Sequence, residues 1–184
     1  MAANNAGSIR FASNGSLFVA PTATTAPTDA STALAAPWVS LGYVSDAGVS
    51  ITPTITTQAI NAWQSAVPVK YLVTGATFQM SFVLLQFDKE ATELYFGGSF
   101  ESNATSEYKL DIESTPELIE TSLVVEWTDG SVNNRLYIPR AQVSAREALT
   151  LVRTGATSLG LTMDALDQGG ILGTVFTTGN MAVA

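Results

Sequence analysis

The chain has 184 residues, 46% of them apolar and only 13% charged, with 16 acids against 8 bases and a formal net charge of −8 at pH 7. That length fits one domain of ordinary size, and the acidic balance argues against a nucleic-acid binder, which needs a basic face. The absence of cysteine and histidine excludes disulfides, thiolate nucleophiles, Cys-based metal sites, and imidazole as a general base or metal ligand. Average soluble domains carry about twice this share of charge. The surface must therefore be covered by Ser, Thr, Asn, Gln and Ala, or by neighbouring subunits. The opening MAANNAGSIR lacks a basic region followed by an apolar core, so no signal peptide is expected. No apolar run approaches the ~20 residues that span a bilayer.

Taken in chain order, residues 8–20 (SIRFASNGSLFVA) read as a hairpin, with Asn14-Gly15 offering the positive φ of a tight turn. Residues 21–37 (PTATTAPTDASTALAAP) hold prolines at 21, 27 and 37 and a single charge, Asp29. They read as a long surface loop, with a helical turn over 29–35 that Thr28 or Asp29 would cap. Residues 38–44 form a predicted strand, followed by the turn SDAG. Residues 49–57 alternate apolar and hydroxyl side chains, with Pro53 marking a bulge or an edge.

The stretch AINAWQSAVPVKYLVTG, residues 59–75, combines one tryptophan and one tyrosine with a single charge, Lys70, and no acid. So ordered an apolar stretch with so little chemistry points to packing and polymerisation. Its first part, 59–66, is predicted as a short helix ending before Pro68. Two strands are then expected on either side of Gly75, the second presenting Phe78, Met80, Phe82 and Leu84 on one face. Residues 88–98 (DKEATELYFGG) give the clearest helix signal: Asp88 to cap, acids in the first turn, Gly97-Gly98 to stop it. Further strands are expected at 107–113, 118–127, 132–139, 149–152, 157–163 and 173–178, with TDGS (128–131) as a hairpin turn. The pattern is mainly β: a β-sandwich or partly closed barrel of about ten short strands with one or two short flanking helices, in one domain spanning 1–184.

The motifs that carry chemistry elsewhere are weak here. SEYK (106–109) has Ser-x-x-Lys spacing, but on a predicted strand, where the lysine does not lie beside the serine. Glu113, Glu117, Glu120 and Glu126 include enough carboxylates for a glycosidase pair, yet strand spacing does not define one. Asp164 and Asp167 near Gly169-Gly170 lack the D-x-D-x-D-G pattern of a calcium loop. Trp38, Trp63 and Trp127 are widely spaced, which fits core packing better than a sugar-stacking platform. No catalytic, cofactor-binding or metal-ligating residue is assigned. Between Glu101 and Glu126 there are seven acids and one base, Lys109. Asp111 and Glu113 share one strand face, Glu120 and Glu126 another, giving a predicted acidic sheet face.

GSLFVAP (15–21), TTAPTDASTAL (24–34), LGYVSDAGVSITPTITTQAINAWQSAVPVKYLVTG (41–75) and FVLLQFDKEATELYFGG (82–98), in that order, resemble the major tail protein, or tail tube protein, of long flexible-tailed (siphovirus-type) bacteriophages, particularly those of actinobacteria. The resemblance covers residues 8–100 well and the remainder loosely. It implies a β-sandwich subunit with a flanking helix, no enzymatic activity and no cofactor. It further implies hexameric rings stacked into a hollow tube in the virion, built in the host cytoplasm, through which genome DNA passes. Implied partners are the chain itself, the tail tip or baseplate, the tape-measure protein and the tail terminator, with no membrane. Some relatives carry a C-terminal immunoglobulin-like domain; none is expected here. Relatives often have a second acid after Tyr43-Val44, where this chain has Ser45-Asp46-Ala47-Gly48. In that frame Asp111, Glu113, Glu120 and Glu126 are candidate lumen-facing acids. Pro27, Thr28, Asp29, Trp38 and Asp46 are the candidate assembly loop, ordering on stacking. A carbohydrate- or receptor-binding β-sandwich module of a virion is the alternative. A hydrolase using Glu113 and Glu120 is a more distant rival.

Overall fold

The computed structural model describes residues 9–105, 107–115, 118–179 and 181. The architecture is mainly β, as expected. The strands are β1 (Asn14–Pro21), β2 (Val39–Ser40), β3 (Val44–Ile60), β4 (Lys70–Leu84), β5 (Glu101–Ala104), β6 (Glu107–Lys109), β7 (Glu120–Asp129), β8 (Val132–Arg146), β9 (Leu159–Ala165) and β10 (Thr174–Thr177), with one helix, α1 (Lys89–Phe96). Eight strands form one antiparallel sheet in the order β2-β1-β7-β8-β9-β4-β3, with β10 also pairing β8; β5 and β6 form a separate two-stranded sheet.

Three of the strands are long rather than short. β3 runs 17 residues and passes through Pro53, because β3 is the last strand of the sheet and its free edge needs no N–H there. β4 runs 15 residues through Gly75 without breaking. β8 runs 15 residues, and its one edge is shared end to end by β10 and β9. β7 and β8 join through Gly130 and Ser131, where Gly130 takes the positive φ (58°) that a two-residue hairpin demands.

The sheet curls around a core of Leu17, Leu41, Met80, Leu123, Ile138, Leu161 and Met163, each essentially inaccessible. It does not close into a barrel. Leu41 N–H donates to the Leu17 carbonyl (2.9 Å) and Leu85 N–H to the Tyr43 carbonyl (2.8 Å), but no ladder joins β1 to β3. A cavity of about 660 Å³ occupies that seam, lined by Ser16, Ser40, Tyr43, Val49, Gln86 and Trp127 among others. α1 covers one end of the core with Ala91 and Tyr95, and the Tyr95 hydroxyl donates to the Glu147 carbonyl. Gly97 ends the helix at φ 75°, its N–H donating to the Glu93 carbonyl (2.8 Å). Asp88 sits at the N-cap but makes no side-chain cap bond, because Gln86 Nε2 holds its carboxylate at 2.6 Å.

Several local expectations give way to pairing. The hairpin of 8–20 is absent over its described part: Asn14 and Gly15 lie inside β1, opposite Thr128 and Trp127. Ser13 N–H continues the ladder to the Thr128 carbonyl (3.0 Å), so the chain runs on along β7 instead of turning. Residue 8 of that hairpin lies outside the described residues, as do Ser106 of the Ser-x-x-Lys spacing and Glu117. Residues 59–66 end β3 and form a turn, not a helix, and 149–152 form no strand.

β7 and β8 are buried on both faces. Leu123, Val125, Leu136 and Ile138 face the core, while Ser122, Val124 and Arg135 are buried on the opposite face. What covers that second face is the 22–38 segment. Arg135 Nη1 donates to the Asp29 carbonyl (2.6 Å) and Nη2 to the Thr32 carbonyl (2.7 Å), while Nε binds Glu126 Oε1 at 2.8 Å. Asp29 makes no helical turn but organises a tight one. Its Oδ1 accepts from the backbone of Ser31 (2.7 Å) and Thr32 (2.6 Å), and its Oδ2 from the Thr32 hydroxyl (2.6 Å). Trp38 completes the cover edge-on to Tyr137, with ring centroids 6.1 Å apart.

Arg135 is a charge only 2% exposed, so losing it leaves Glu126 and two carbonyls without their donor. R135Q is expected to lose stability at the lower end of the roughly 3–5 kcal/mol typical of a broken buried pair, since Glu126 is partly exposed. Urea unfolding measures that loss, and thermolysin is expected to cut before Leu34 in the variant alone. The bonds from Thr32 and Ser31 hold the Asp29 carboxyl at about 2, below its ordinary value. A lowered pKa stabilises the turn above the unfolded-state value near 4 and loses that contribution as pH falls towards 2. Amide exchange at Ser31 and Thr32, corrected for intrinsic rate, is expected to accelerate across that window in the wild type. D29N is expected to exchange fast throughout and show no step.

Candidate assembly arm

β9 accompanies β4 only as far as Gln79, where Gln79 Nε2 donates to Asp164 Oδ1 at 2.9 Å. Beyond that point β3 and β4 continue alone. The result is a two-stranded ribbon, residues 50–77, whose residues 50–60 and 70–77 are all exposed. Both of its outer edges are free of strand partners among the described residues. The ribbon is tied at its tip by Val69 N–H to the Ile60 carbonyl (2.9 Å) and by the Ser65 hydroxyl to the Val67 carbonyl (2.8 Å). Trp63 stands at that tip, 99% exposed.

The register shows how the ribbon sorts its side chains. Ile51, Pro53 and Ile55 pair with Met80, Phe78 and Ala76. After Thr56↔Gly75 the next pair is Thr57↔Val73, so Thr74 is an extra residue bulged out of β4. Because side chains alternate with a period of two, the bulge moves Val73 and Tyr71 onto the face of Ile51 and Ile55. Without it they would share the face of Thr52, Thr54 and Gln58. The apolar face of the ribbon is therefore a continuation of the core face: Met80 is buried, Phe78 half-buried, and Ile55, Val73 and Tyr71 lie open. Lys70 is the ribbon's one charged residue and has no ion pair among the described residues.

The sequence-predicted acids are not brought together on one sheet face. Asp111 and Glu113 lie after β6, outside the main sheet, with Asp111 Oδ2 2.7 Å from Lys109 Nζ. The hydrogen bond and charge of Asp111 raise the Lys109 pKa. Glu120 and Glu126 are on β7 but carry arginines from β8. Arg140 grips Glu120 through Nε (2.9 Å) and Nη2 (2.8 Å), lowering the Glu120 pKa and raising its own. Arg135 neutralises Glu126 beneath the 22–38 segment. Asp164 and Asp167 are held within the chain, by Gln79 and by Gly170 N–H (2.9 Å) respectively. No group of three or more potential metal-ligating acids occurs among the described residues. Of the candidate assembly residues, Pro27, Thr28, Asp29 and Trp38 belong to the segment lying on the sheet of their own chain. Asp46 is exposed elsewhere, in the irregular 45–48 stretch of β3.

The arm was legible as composition but not as shape. The 59–75 stretch announces contact surface by its lack of charge, whereas its position outside the core follows only from β9 ending early. No match is found among curated proteins. A family model described as phage tail tube protein matches residues 1–177. With a mainly-β sheet, only 13% charged residues and a ribbon with an open apolar face, the chain belongs to the phage tail tube protein family.

Proposed function

We propose that the chain is the repeating subunit of a siphovirus-type tail tube, closing into rings, most simply hexameric, that stack around a lumen through which genome DNA is ejected. It performs no catalysis and needs no cofactor. The observation that carries this reading is the ribbon of residues 50–77, whose open apolar face continues the core and whose single charge is Lys70. A face of that kind is costly in water and matches a contact between copies. The net charge of −8 suits a wall that DNA slides past, because phosphates are repelled from acidic surface wherever it faces the lumen. Asp111 and Glu113, exposed and away from β8, remain the acids best suited to that wall. The tape-measure protein in the lumen, the tail tip or baseplate at one end and the terminator at the other are the further partners of this reading, with assembly in the host cytoplasm.

Negative-stain microscopy of the concentrated, purified chain tests the proposal. Rings or tubes of uniform diameter are expected. The double variant Y71T/V73T, which makes the arm polar outside the core, is expected to keep a wild-type thermal melt and lose most assembled particles. A wild-type chain that stays monomeric at high concentration and binds glycans on an array overturns the reading in favour of an adhesion module using the exposed Trp63.

A further inference from the structure

The strand directions give the molecule two poles. β4 leaves the arm at Lys70 and ends at Leu84, beside Leu159 of β9 and just before α1. The end of β8 lies at that pole, since Arg146 pairs with Leu161, while the start of β7 and the end of β1 stand level with the arm's base through Glu120↔Gln142, Gln142↔Asp164 and Asp164↔Gln79. Between them and α1 lies a groove of about 350 Å³. Its walls include Pro37, Val39, Leu94, Leu118, Ile119 and Val143. Leu118 and Ile119 are both more than half exposed, so this wall is apolar and left open among the described residues.

The arm points the other way. From Lys70 to Thr77 it extends on the order of 25 Å beyond the body at strand rise. An arm that projects away from the body does not reach back into the α1 groove of its own chain. We propose that the arm tip, from Trp63 to Tyr71, seats in the α1 groove of a second copy, with Lys70 meeting Glu90 and Glu93. This rests on the self-assembly reading above and names the surface that receives the arm.

Charge as well as apolarity matches. Glu90, Glu93 and Glu120 stand on the groove against one cation, Arg146. Arg146 Nε is already engaged by the Tyr95 carbonyl, and Glu120 by Arg140. Glu93 is 4.0 Å from Lys89 and accepts from Phe100 N–H, while Glu90 has no ion pair among the described residues. The arm thus brings one unpaired cation on an apolar tip to an apolar groove with one unpaired anion. Because giving and receiving surfaces differ, the contact is head-to-tail and propagates rather than closing as a dimer.

The experiment uses the full chain. K70E and E90K are each expected to reduce the assembled fraction about five-fold, the scale of one partly exposed ion pair, and the K70E/E90K double to restore it. K70E is expected to melt like the wild type, and E90K and the double only slightly lower, since Glu90 is the acid in the first turn of α1 and both positions lie outside the core. Since the chain has no native cysteine, a mixture of W63C and I119C gives a second readout: under oxidation, heterodimers between the two variants are expected to exceed either homodimer. A wild-type chain that never assembles overturns the self-assembly reading and this inference with it. Normal wild-type assembly with a double variant no better than the singles, or with no W63C–I119C cross-link, overturns the docking alone.

Discussion

β9 stops pairing with β4 at Gln79, and most of what is distinctive in this chain follows from that one limit. A third strand there would have given the 50–77 ribbon the cover that the body has. Without it, two strands project with both edges unpaired among the described residues, and an isolated ribbon is at best marginally stable in water. The bulge at Thr74 then decides what the ribbon displays. It keeps Val73 and Tyr71 in line with Phe78 and Met80, so the exposed face is an extension of the interior and not an ordinary solvated surface. Edge strands that remain in solvent are usually guarded by lysines, prolines or inward charges. Here Pro53 removes one donor, and Lys70 is the only charge.

The body solves the opposite problem. β7 and β8 sit mid-sheet and bury both faces, one against the core and one under the 22–38 segment. That segment has only Leu34 and Trp38 as large apolar side chains, too few to fold over the sheet by burial alone. Its attachment is polar and specific: Arg135 reaches two of its carbonyls, Asp29 shapes the turn that presents them, and Trp38 closes on Tyr137. A buried arginine with Glu126 on one side and carbonyls on the other has its donors occupied, which is the condition for tolerating such a charge in the interior. Within the chain, these contacts hold the segment against the outer face of β7 and β8.

Local signals were read correctly where geometry is local. The turn at Gly130, the helix from Lys89 with its stop at Gly97, and the alternation of Phe78, Met80, Phe82 and Leu84 all follow from adjacent residues. Readings failed where a distant strand decides. Asn14-Gly15 has the composition of a turn, but eight residues of ladder to β7 outweigh that preference. Pro53 and Gly75 break a strand in most contexts, yet an edge position tolerates the first and a ribbon tolerates the second. The acidic face dissolved for the same reason. Which arginine meets which acid depends on the β7–β8 register, and Asp111 and Glu113 left the sheet with β6.

Low charge, finally, has a different meaning at each pole. Near α1, acids are present and most already have partners, leaving Glu90 at a groove with apolar walls. On the arm, charge is absent but for Lys70. If both poles were equally apolar, copies would associate in any register, since burial of apolar area is non-directional. One unpaired cation against one unpaired anion adds little affinity, but it distinguishes the head-to-tail arrangement from arm-on-arm contact, where two lysines would meet. On the proposed reading, apolar area supplies the association and a sparse charge pattern supplies its direction. A chain so poor in charge can therefore still specify a polar assembly.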